Sequence, residues 1–248
     1  VAAMGTNNVM MLNTASMDPM QSPYGDIKVG SGPRGVAFST DGTKAWVLNS
    51  TGFTVSEIDL TLLMKYHDAT NAKKGFTQLQ KIQPIFLQHT KEVAYGTDPL
   101  PKAAQLGRKV FHNAKNSRLS ASNRFACATC HLDGTEDKRV WFISDGPRQT
   151  PALAGRIKGT APFNWMGSKF TLTDNVKSTT TRMGGTGLLD AELAALEQFM
   201  LHGLKAPVNP HKKKGGLTQQ QRAGKKIYED PTVGCTDCHG EPSLTDGA

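Results

Sequence analysis

The sequence has little cysteine, and none of it is spare. Four Cys occur among 248 residues, and all four lie in two short motifs. If those motifs have another use, no thiol remains for a disulfide framework. The chain also lacks an apolar run of about 18 residues, so no transmembrane helix is predicted. Val1 does not open a secretory signal peptide, and we expect the chain to be either mature or a piece of a longer protein.

Positive charge exceeds negative charge, but it is not organised for nucleic acid. Lys and Arg number 29 against 21 Asp and Glu, giving a formal net charge of +8. The basic residues are dispersed, and no aromatic stacking motif accompanies them. Nucleic-acid binding is therefore not expected.

The two cysteine motifs carry the strongest chemical signal in the chain. Cys-x-x-Cys-His is the attachment signature of c-type haem, in which two thiols bond to the vinyl groups and the His ligates iron. A zinc ribbon would need its Cys pairs about 15–20 residues apart, and a redox dithiol needs no His. We predict two covalently bound haem c groups, with thioethers from four residues and iron ligands from two: Cys127, Cys130, Cys235, Cys238, His131 and His239.

Covalent haem also bears on compartment and partners. It is normally attached outside the cytoplasmic membrane, so we expect a periplasmic, extracellular or cell-surface protein. Four haem propionates would offset part of the positive charge. The remainder is interpreted mainly as a solvated surface, and alternatively as attraction to an acidic redox partner protein.

Residues 1–66 have a β pattern. Three β-prone runs, 29–39, 44–49 and 54–60, are separated by turn residues, including the hairpin signal Asp41-Gly42. This stretch resembles one blade of the YVTN-type bacterial β-propeller repeats, and residues 1–13 resemble the closing strands of a preceding blade. A propeller typically has at least 4 blades, so the resemblance implies a propeller blade fragment over 1–66, from a larger propeller.

The rest of the chain predicts helical units and linkers. Residues 67–97 are interpreted as a linker with one strand around 84–87, and residues 206–217 as a second linker. After Asp98-Pro99-Leu100-Pro101 a helix is predicted over 102–112, and another is predicted from Thr218, which with Gln221 forms a capping box.

An internal duplication is indicated by the segments 106–111 and 223–228, since each runs into one of the two haem motifs. Gly107 and Gly224 occupy matching places inside the predicted helices, at a cost of about 1 kcal/mol each relative to Ala. We therefore expect close helix contacts there, with the predicted helix 189–200, capped by Asp190, as the natural partner. The fold class is mixed: the blade fragment precedes mainly α, duplicated cytochrome c-like haem domains, the first over 98–205 and the second, truncated, over 218–248.

From 98 to 248 the chain resembles the dihaem cytochrome c peroxidase and MauG superfamily. The matching segments are 105–111, 127–131, 146–153, 163–165, 184–188 and 234–239. The resemblance implies that His131 and His239 are proximal iron ligands. It also implies that Trp165 relays electrons between the haems, with ordinary core packing as the alternative.

Several family positions are changed. No His lies between Leu132 and Leu201, so the family's first distal ligand is missing. The family's catalytic Gln falls near Asn175, and its catalytic Glu near Arg182 or Met183. We expect a labile or empty distal position at the first haem.

The replacements for those groups remain open in the sequence. Met183 is favoured over Met166 as a distal ligand, with core packing as the alternative for both. A carboxylate for acid–base chemistry can come from the loop after the first motif, where the alternative is a solvated charge: Asp133, Glu136, Asp137 and Asp145.

The predicted function is electron transfer by a dihaem c-type cytochrome, with peroxidase-like or MauG-like redox catalysis at the first haem. The alternative is a non-catalytic electron-transfer subunit, or a scaffold, in a larger periplasmic assembly.

Overall fold

The computed structural model describes residues 1–12, 14, 20, 23–61, 89–211 and 215–240. The predicted strand at 84–87 lies outside these ranges. The N-terminal part is β structure in two antiparallel sheets. The first sheet contains β1 (Ala2–Ala3), β2 (Asn8–Leu12) and β3 (Pro23–Lys28), and the second contains β4 (Pro33–Phe38), β5 (Lys44–Asn49), β6 (Thr54–Asp59) and β7 (His89–Ala94).

The second sheet is a meander, in which each strand pairs with the next along the chain. In β5 the side chains alternate, and Ala45, Val47 and Asn49 point inward and are buried. The sequence indicated a strand here because a β-prone run lies between turn residues, and the alternation is seen in the burial of its side chains. The buried apolar side chains of both sheets form one cluster: Val9, Ile27, Val29, Ala45, Val47, Ile58 and Leu60.

Strand β7 lies in the segment that the sequence indicated as linker. It pairs antiparallel with β6, with Val55 opposite Val93, and completes the four-stranded sheet. Residues 91–94 are exposed, so this edge strand shows no buried face that would give an alternating pattern.

The rest of the described chain is mainly helical, with one hairpin. The helices are α1 (Lys102–His112), α2 (Cys127–Cys130), α3 (Leu172–Arg182), α4 (Asp190–His202), α5 (Gln219–Tyr228) and α6 (Cys235–Cys238). The hairpin pairs β8 (Val140–Ile143) with β9 (Gly146–Gln149). Among the described residues no helix is long and apolar enough to cross a membrane.

Helices α1 and α4 pack closely, as the glycine at Gly107 predicted. A Cβ at that position would lie 1.9 Å from the backbone oxygen of Ala195. Phe111 of α1 meets Phe199 of α4 edge to face, with 5.4 Å between the ring centroids. This crossing is the centre of a second hydrophobic cluster: Val110, Phe111, Leu119, Ala154, Ile157, Leu172, Leu188, Leu193, Leu196, Phe199, Met200 and Leu204.

The helix starts agree with the sequence in one case and differ in another. Thr218 and Gln221 form the predicted capping box of α5, with Thr218 N donating to Gln221 Oε1 at 2.8 Å. For α4 the cap residue is Leu189 rather than Asp190, and the Leu189 N–H donates to Glu192 Oε2 at 2.9 Å. Asp190 is instead the first helical residue, where a negative charge favours the helix N-terminus.

The sheets and the helices are joined through Arg108 of α1. Its guanidinium pairs with Asp98, donates to the Thr51 carbonyl at 2.8 Å and lies 5.2 Å from the centre of the Phe53 ring. A second ion pair joins Arg34 of β4 to Asp133. The sheet part therefore contacts the segment that directly follows the first Cys-x-x-Cys-His motif.

Candidate functional site

Both Cys-x-x-Cys-His motifs fold into the same local structure. In each motif the two Cys are the first and last residues of a single helical turn, α2 or α6, and the His follows as the C-cap. The His131 N–H donates to the Cys127 carbonyl at 2.8 Å, and the His239 N–H donates to the Cys235 carbonyl at 2.9 Å. Residues three apart lie on one face of a helix, so each turn presents its two thiols to the same side.

The first motif lies at a cleft of about 200 Å³ that opens to solvent. Cys130 and His131 form part of its wall. Aromatic and aliphatic side chains line much of the rest: Trp141, Ile143, Leu153, Phe163 and Trp165. The hairpin β8–β9 and helix α3 complete it with polar groups.

Burial shifts the pKa values of the Cys and His side chains in the first motif. Burial raises the pKa of Cys127 to about 12 and also raises the pKa of Cys130. Burial lowers the pKa of His131, and interactions with the backbone of Pro151 and Thr135 act in the opposite direction. The folded chain therefore favours neutral thiols and a neutral imidazole, which is the form that ligates metal.

Unpaired polar atoms test whether this cleft fits a haem. Among the described residues, His131 Nδ1 and Arg148 Nε are buried and have no hydrogen-bond partner. Both residues line the cleft. The cleft offers an imidazole, a guanidinium and the Cys130 thiol, and the Cys127 thiol lies at the other end of the same helical turn, packed against the hydrophobic cluster. These are the groups that a haem needs for its iron, its propionates and its vinyl carbons. The residues present thus fit a covalently bound haem.

Trp165 lies at the edge of this cleft, and its side chain is 58% exposed. Its indole Nε1 donates to the Gln149 carbonyl at 2.9 Å, which fixes the ring against β9. The alternative of ordinary core packing does not describe this position, because more than half of the residue faces solvent among the described residues.

The candidate distal ligands have different places. Met183 caps the C-terminus of α3 and is not among the residues that line the cleft. Met166 is exposed, and its sulfur lies 3.7 Å from Arg148 Nη2. Ligation by Met183 stays a prediction.

Among the four candidate carboxylates, Asp145 is the one that lines the cleft. Asp133 pairs with Arg34, Asp137 accepts from Trp141 Nε1 at 2.8 Å, and Glu136 accepts from Gln149 Nε2 at 3.3 Å.

Helix α3 brings Asn175, Thr179 and Arg182 to the cleft, and the sequence did not indicate this helix. A signal was available, because Thr171 and Asp174 have the spacing of an N-terminal cap. Thr171 Oγ1 accepts from the Asp174 N–H at 3.0 Å.

The second motif lies beyond α5 and is more open. Cys238 is exposed, and Cys235 is half-buried. The Tyr228 hydroxyl donates to the His239 carbonyl, which ties the end of α5 to the motif. Helix α5 itself has no residue that is buried among the described part of the chain, and Ile227 is 62% exposed.

A sequence model of the di-haem cytochrome c peroxidase family matches residues 101–225, which include the first motif and end before the second. Hydrazine synthase subunit gamma of Kuenenia stuttgartiensis is 26% identical over 167 residues, covering 61% of this chain and 47% of that protein. The chain thus spans about half the length of this curated relative. A solved structure of Kuenenia stuttgartiensis hydrazine synthase, pressurized with 20 bar xenon, aligns with a TM-score of 0.48 and 20% identity, over 64% of this chain and 63% of that chain.

Proposed function

Because the chain belongs to the di-haem cytochrome c peroxidase family, we propose that it is a c-type cytochrome with two covalent haems and a reactive first haem site. The cleft beside His131 carries this proposal. It joins a thioether turn, an imidazole and apolar walls to a polar wall of side chains from α3 and the hairpin. A site for simple electron transfer needs no such polar wall.

In this proposal the attachment residues are the ones that the two motifs predict. Cys127 and Cys130 hold the first haem, Cys235 and Cys238 hold the second, and His131 and His239 are the iron ligands. The shared conformation of the two motifs supports an equivalent role for each. A bound haem would supply electron transfer and could supply activation of peroxide.

The protein side chains have separate tasks in such a site. The apolar walls exclude water, and Arg148 holds a propionate. Trp165, fixed by its hydrogen bond to Gln149 at the cleft edge, relays electrons from the second haem. A redox partner protein supplies them, and the positive charge that remains after the haem propionates offset part of the +8 favours an acidic partner.

The domain division is part of the same proposal. The two separate hydrophobic clusters support a β unit, over 1–66 extended by strand β7, and a first haem domain over 98–205. The four-stranded meander has the form of one propeller blade, which supports a propeller-derived N-terminal unit. The repeated order of helix and haem motif supports a second haem domain that begins at 218.

The proposed cellular location follows from the covalent haem, and the proposed assembly follows from the similarity to hydrazine synthase subunit gamma. Covalent haem supports a periplasmic or cell-surface location. The similarity to a protein named as a subunit supports a role inside a larger assembly.

Two measurements on the purified holoprotein test the proposal. The denatured protein should exceed the polypeptide mass by two haems, and by one haem in a variant with Cys127→Ala and Cys130→Ala. The optical spectrum should contain a high-spin component that shifts when azide or cyanide is added. A bare-chain mass, or a fully low-spin spectrum indifferent to both ligands, contradicts the proposal.

A non-catalytic electron-transfer subunit is the second candidate function. Asn175 and Arg182 favour it, because they occupy the cleft where the family resemblance places a Gln and a Glu. A protein of this kind would carry both haems and exchange electrons with its partner, and it would not consume peroxide.

A further inference from the structure

The turn that directly follows His131 is fixed at its far end. The His131 carbonyl accepts from the Gly134 N–H at 2.9 Å. The Gly134 carbonyl accepts from the amides of Leu153 and Ala154 at 2.7 and 2.8 Å. Gly134 is buried, and a Cβ there would lie 3.0 Å from Leu204. Since the turn begins at His131, its conformation sets the direction of the backbone that carries the imidazole.

Asp133, at the centre of this turn, has an unfavourable backbone conformation. Its φ of 52° and ψ of 26° lie in the left-handed region, where the Cβ of an ordinary residue crowds the backbone. Asp and Asn enter this region more readily than other residues with a Cβ, because their short polar side chains can bond to nearby backbone. Among the described residues, however, the hydrogen-bond partner of the Asp133 carboxylate is Arg34, 99 positions earlier in the chain. The contact that holds this side chain thus comes from the sheets.

Arg34 is anchored on the sheet side. It lies in β4 directly after Pro33, which is fully buried and pairs with Asn49 of β5. Its Nε donates to the Met4 sulfur at 3.4 Å, and its Nη2 pairs with Asp133 Oδ1. The guanidinium therefore connects residues of both sheet regions to the turn after His131.

The junction is not filled by packing near this ion pair. Arg34 and Asp133 line a cavity of about 350 Å³ that opens to solvent between the sheets and the helices. Elsewhere at the junction the Thr51 carbonyl accepts from α1, and the Gly5 carbonyl accepts from the Ala114 N–H. Of these contacts among the described residues, the Arg34–Asp133 pair is the one that reaches the turn. The position of the turn relative to the sheets therefore depends on this pair.

We propose that Arg34 is a positioning residue for His131, acting through Asp133, and that it couples the sheets to the first haem site. The inference rests on the proposed function, in which His131 ligates iron. Arg34 holds the Asp133 carboxylate, the carboxylate holds the turn in its left-handed conformation, and the turn fixes the backbone of His131. A displacement of the sheets, such as one caused by a protein that binds to them, is thereby transmitted to the iron ligand.

Amide hydrogen exchange in the holoprotein measures the turn directly, because the Gly134 and Thr135 amides bond to its carbonyls. Asp133→Asn removes the ion pair and keeps a residue type that tolerates the left-handed region, so it separates the pair from the backbone strain. Arg34→Gln removes the same pair from the sheet side. Both variants should accelerate exchange of the two amides about two- to fivefold, the effect of one exposed ion pair.

Further variants show whether the effect belongs to the pair. The double variant Arg34→Gln, Asp133→Asn should exchange no faster than either single variant, since the interaction is already lost in each. Arg34→Lys keeps the charge and should recover most of the protection. Lys44→Gln is the matched control: it breaks an ion pair with Glu57 in the same sheet, with side chains 48% and 31% exposed, and should leave the turn amides unchanged.

Position and charge are distinguished by spectroscopy of the first haem. Asp133→Asn and Arg34→Gln remove charges of opposite sign, so an effect of charge alone would act on the iron in opposite directions. A loss of position should instead shift the iron–histidine vibration of the reduced, high-spin haem in the same direction in both variants. Lys44→Gln should leave this vibration unchanged.

The outcomes separate this inference from the proposed function. If the mass of the native protein shows no haem at the first motif, the proposed function fails, and exchange of the turn amides still decides whether the sheets hold the turn. If haem is bound, but exchange in Arg34→Gln and Asp133→Asn matches that in Lys44→Gln, the coupling is refuted. Opposite shifts of the iron–histidine vibration in the two variants would show an effect of charge and would overturn the positioning role.

Discussion

Gly107 and Gly224 occupy matching positions in α1 and α5, but replacing each with Ala should change the stability of the protein in opposite directions. Gly224→Ala is therefore the control for Gly107→Ala. Gly107 lies where α1 crosses α4, and Gly224 lies in the exposed face of α5. A Cβ at Gly107 would be 1.9 Å from Ala195 O and 2.8 Å from Phe199 Cβ, whereas a Cβ at Gly224 meets nothing within 4 Å among the described residues. Gly107→Ala should therefore destabilise the protein, and Gly224→Ala should not.

The size of the effect follows from these distances. Ordinary contact begins at 3.4 Å, so 3.4 − 1.9 gives a shortfall of 1.5 Å against a backbone atom that cannot rotate away. Separating two helices by this amount is a severe form of overpacking and should cost about 3 kcal/mol. The higher helix propensity of Ala offsets about 1 kcal/mol of this loss in the free energy of unfolding. The free energy of unfolding should thus fall by about 2 kcal/mol, and the melting temperature by about 4–8 °C.

Thermal unfolding of the two holoprotein variants, followed by calorimetry, measures both changes. Gly224→Ala should raise the melting temperature slightly, because the propensity gain of about 1 kcal/mol meets no clash. If Gly107→Ala had the same melting temperature as the native protein, the close crossing of α1 and α4 would be refuted. Equal losses in both variants would show that Gly224 is also closely packed, and that burial along α5 is greater than the described residues indicate.

Two further predictions concern the junction between the sheets and the helices. His112 is buried and its Nδ1 lies 2.8 Å from the Arg108 carbonyl, and burial lowers its pKa. Below about pH 6.5 the unfolded chain therefore binds more protons at this residue than the folded one, so stability should fall as the pH drops below that value and level off above it. Denaturant titrations at pH 7.5 and 5 should show a smaller acid loss in His112→Gln, and an identical loss would contradict the burial of a neutral ring. Arg108→Met leaves Asp98 without its partner in a largely buried place and should cost about 3 kcal/mol, with faster amide exchange in the strands at 44–59. Lys109→Met, one residue along on the exposed side of α1, is the control, and similar losses in both variants would refute the role of Arg108.

Much of the scaffold could be predicted because its signals are local. The helix 102–112 was predicted with the observed bounds of α1, and the capping box at Thr218 was confirmed. Strands 44–49 and 54–60 follow from β-prone runs separated by turn residues, and they match β5 and β6 closely. In each case a short window of sequence contains the pattern and its boundary.

The polar wall of the cleft could not be predicted in the same way. Helix α3 is rich in Thr and Ser, which have low helix propensity, and its apolar anchor Leu172 is buried only through contacts with distant residues. In the sequence Asp145 looked like one of four equivalent loop carboxylates. It differs from the others because the hairpin brings it beside Arg182, a residue far along the chain. Pairing at such a separation depends on the tertiary fold.

The alternation along β8 limits how the protein can change. Trp141, Ile143 and Asp145 face the cleft because they are two residues apart, and Phe142 faces outward. Replacing Phe142 changes an exposed side chain and leaves the inward set in place. A slip of one residue along β8 would turn the strand over, so that the cleft lost Trp141, Ile143 and the Asp145 carboxylate together. The length of this hairpin is therefore more tightly constrained than its composition. A change of length would change which side chains line the cleft.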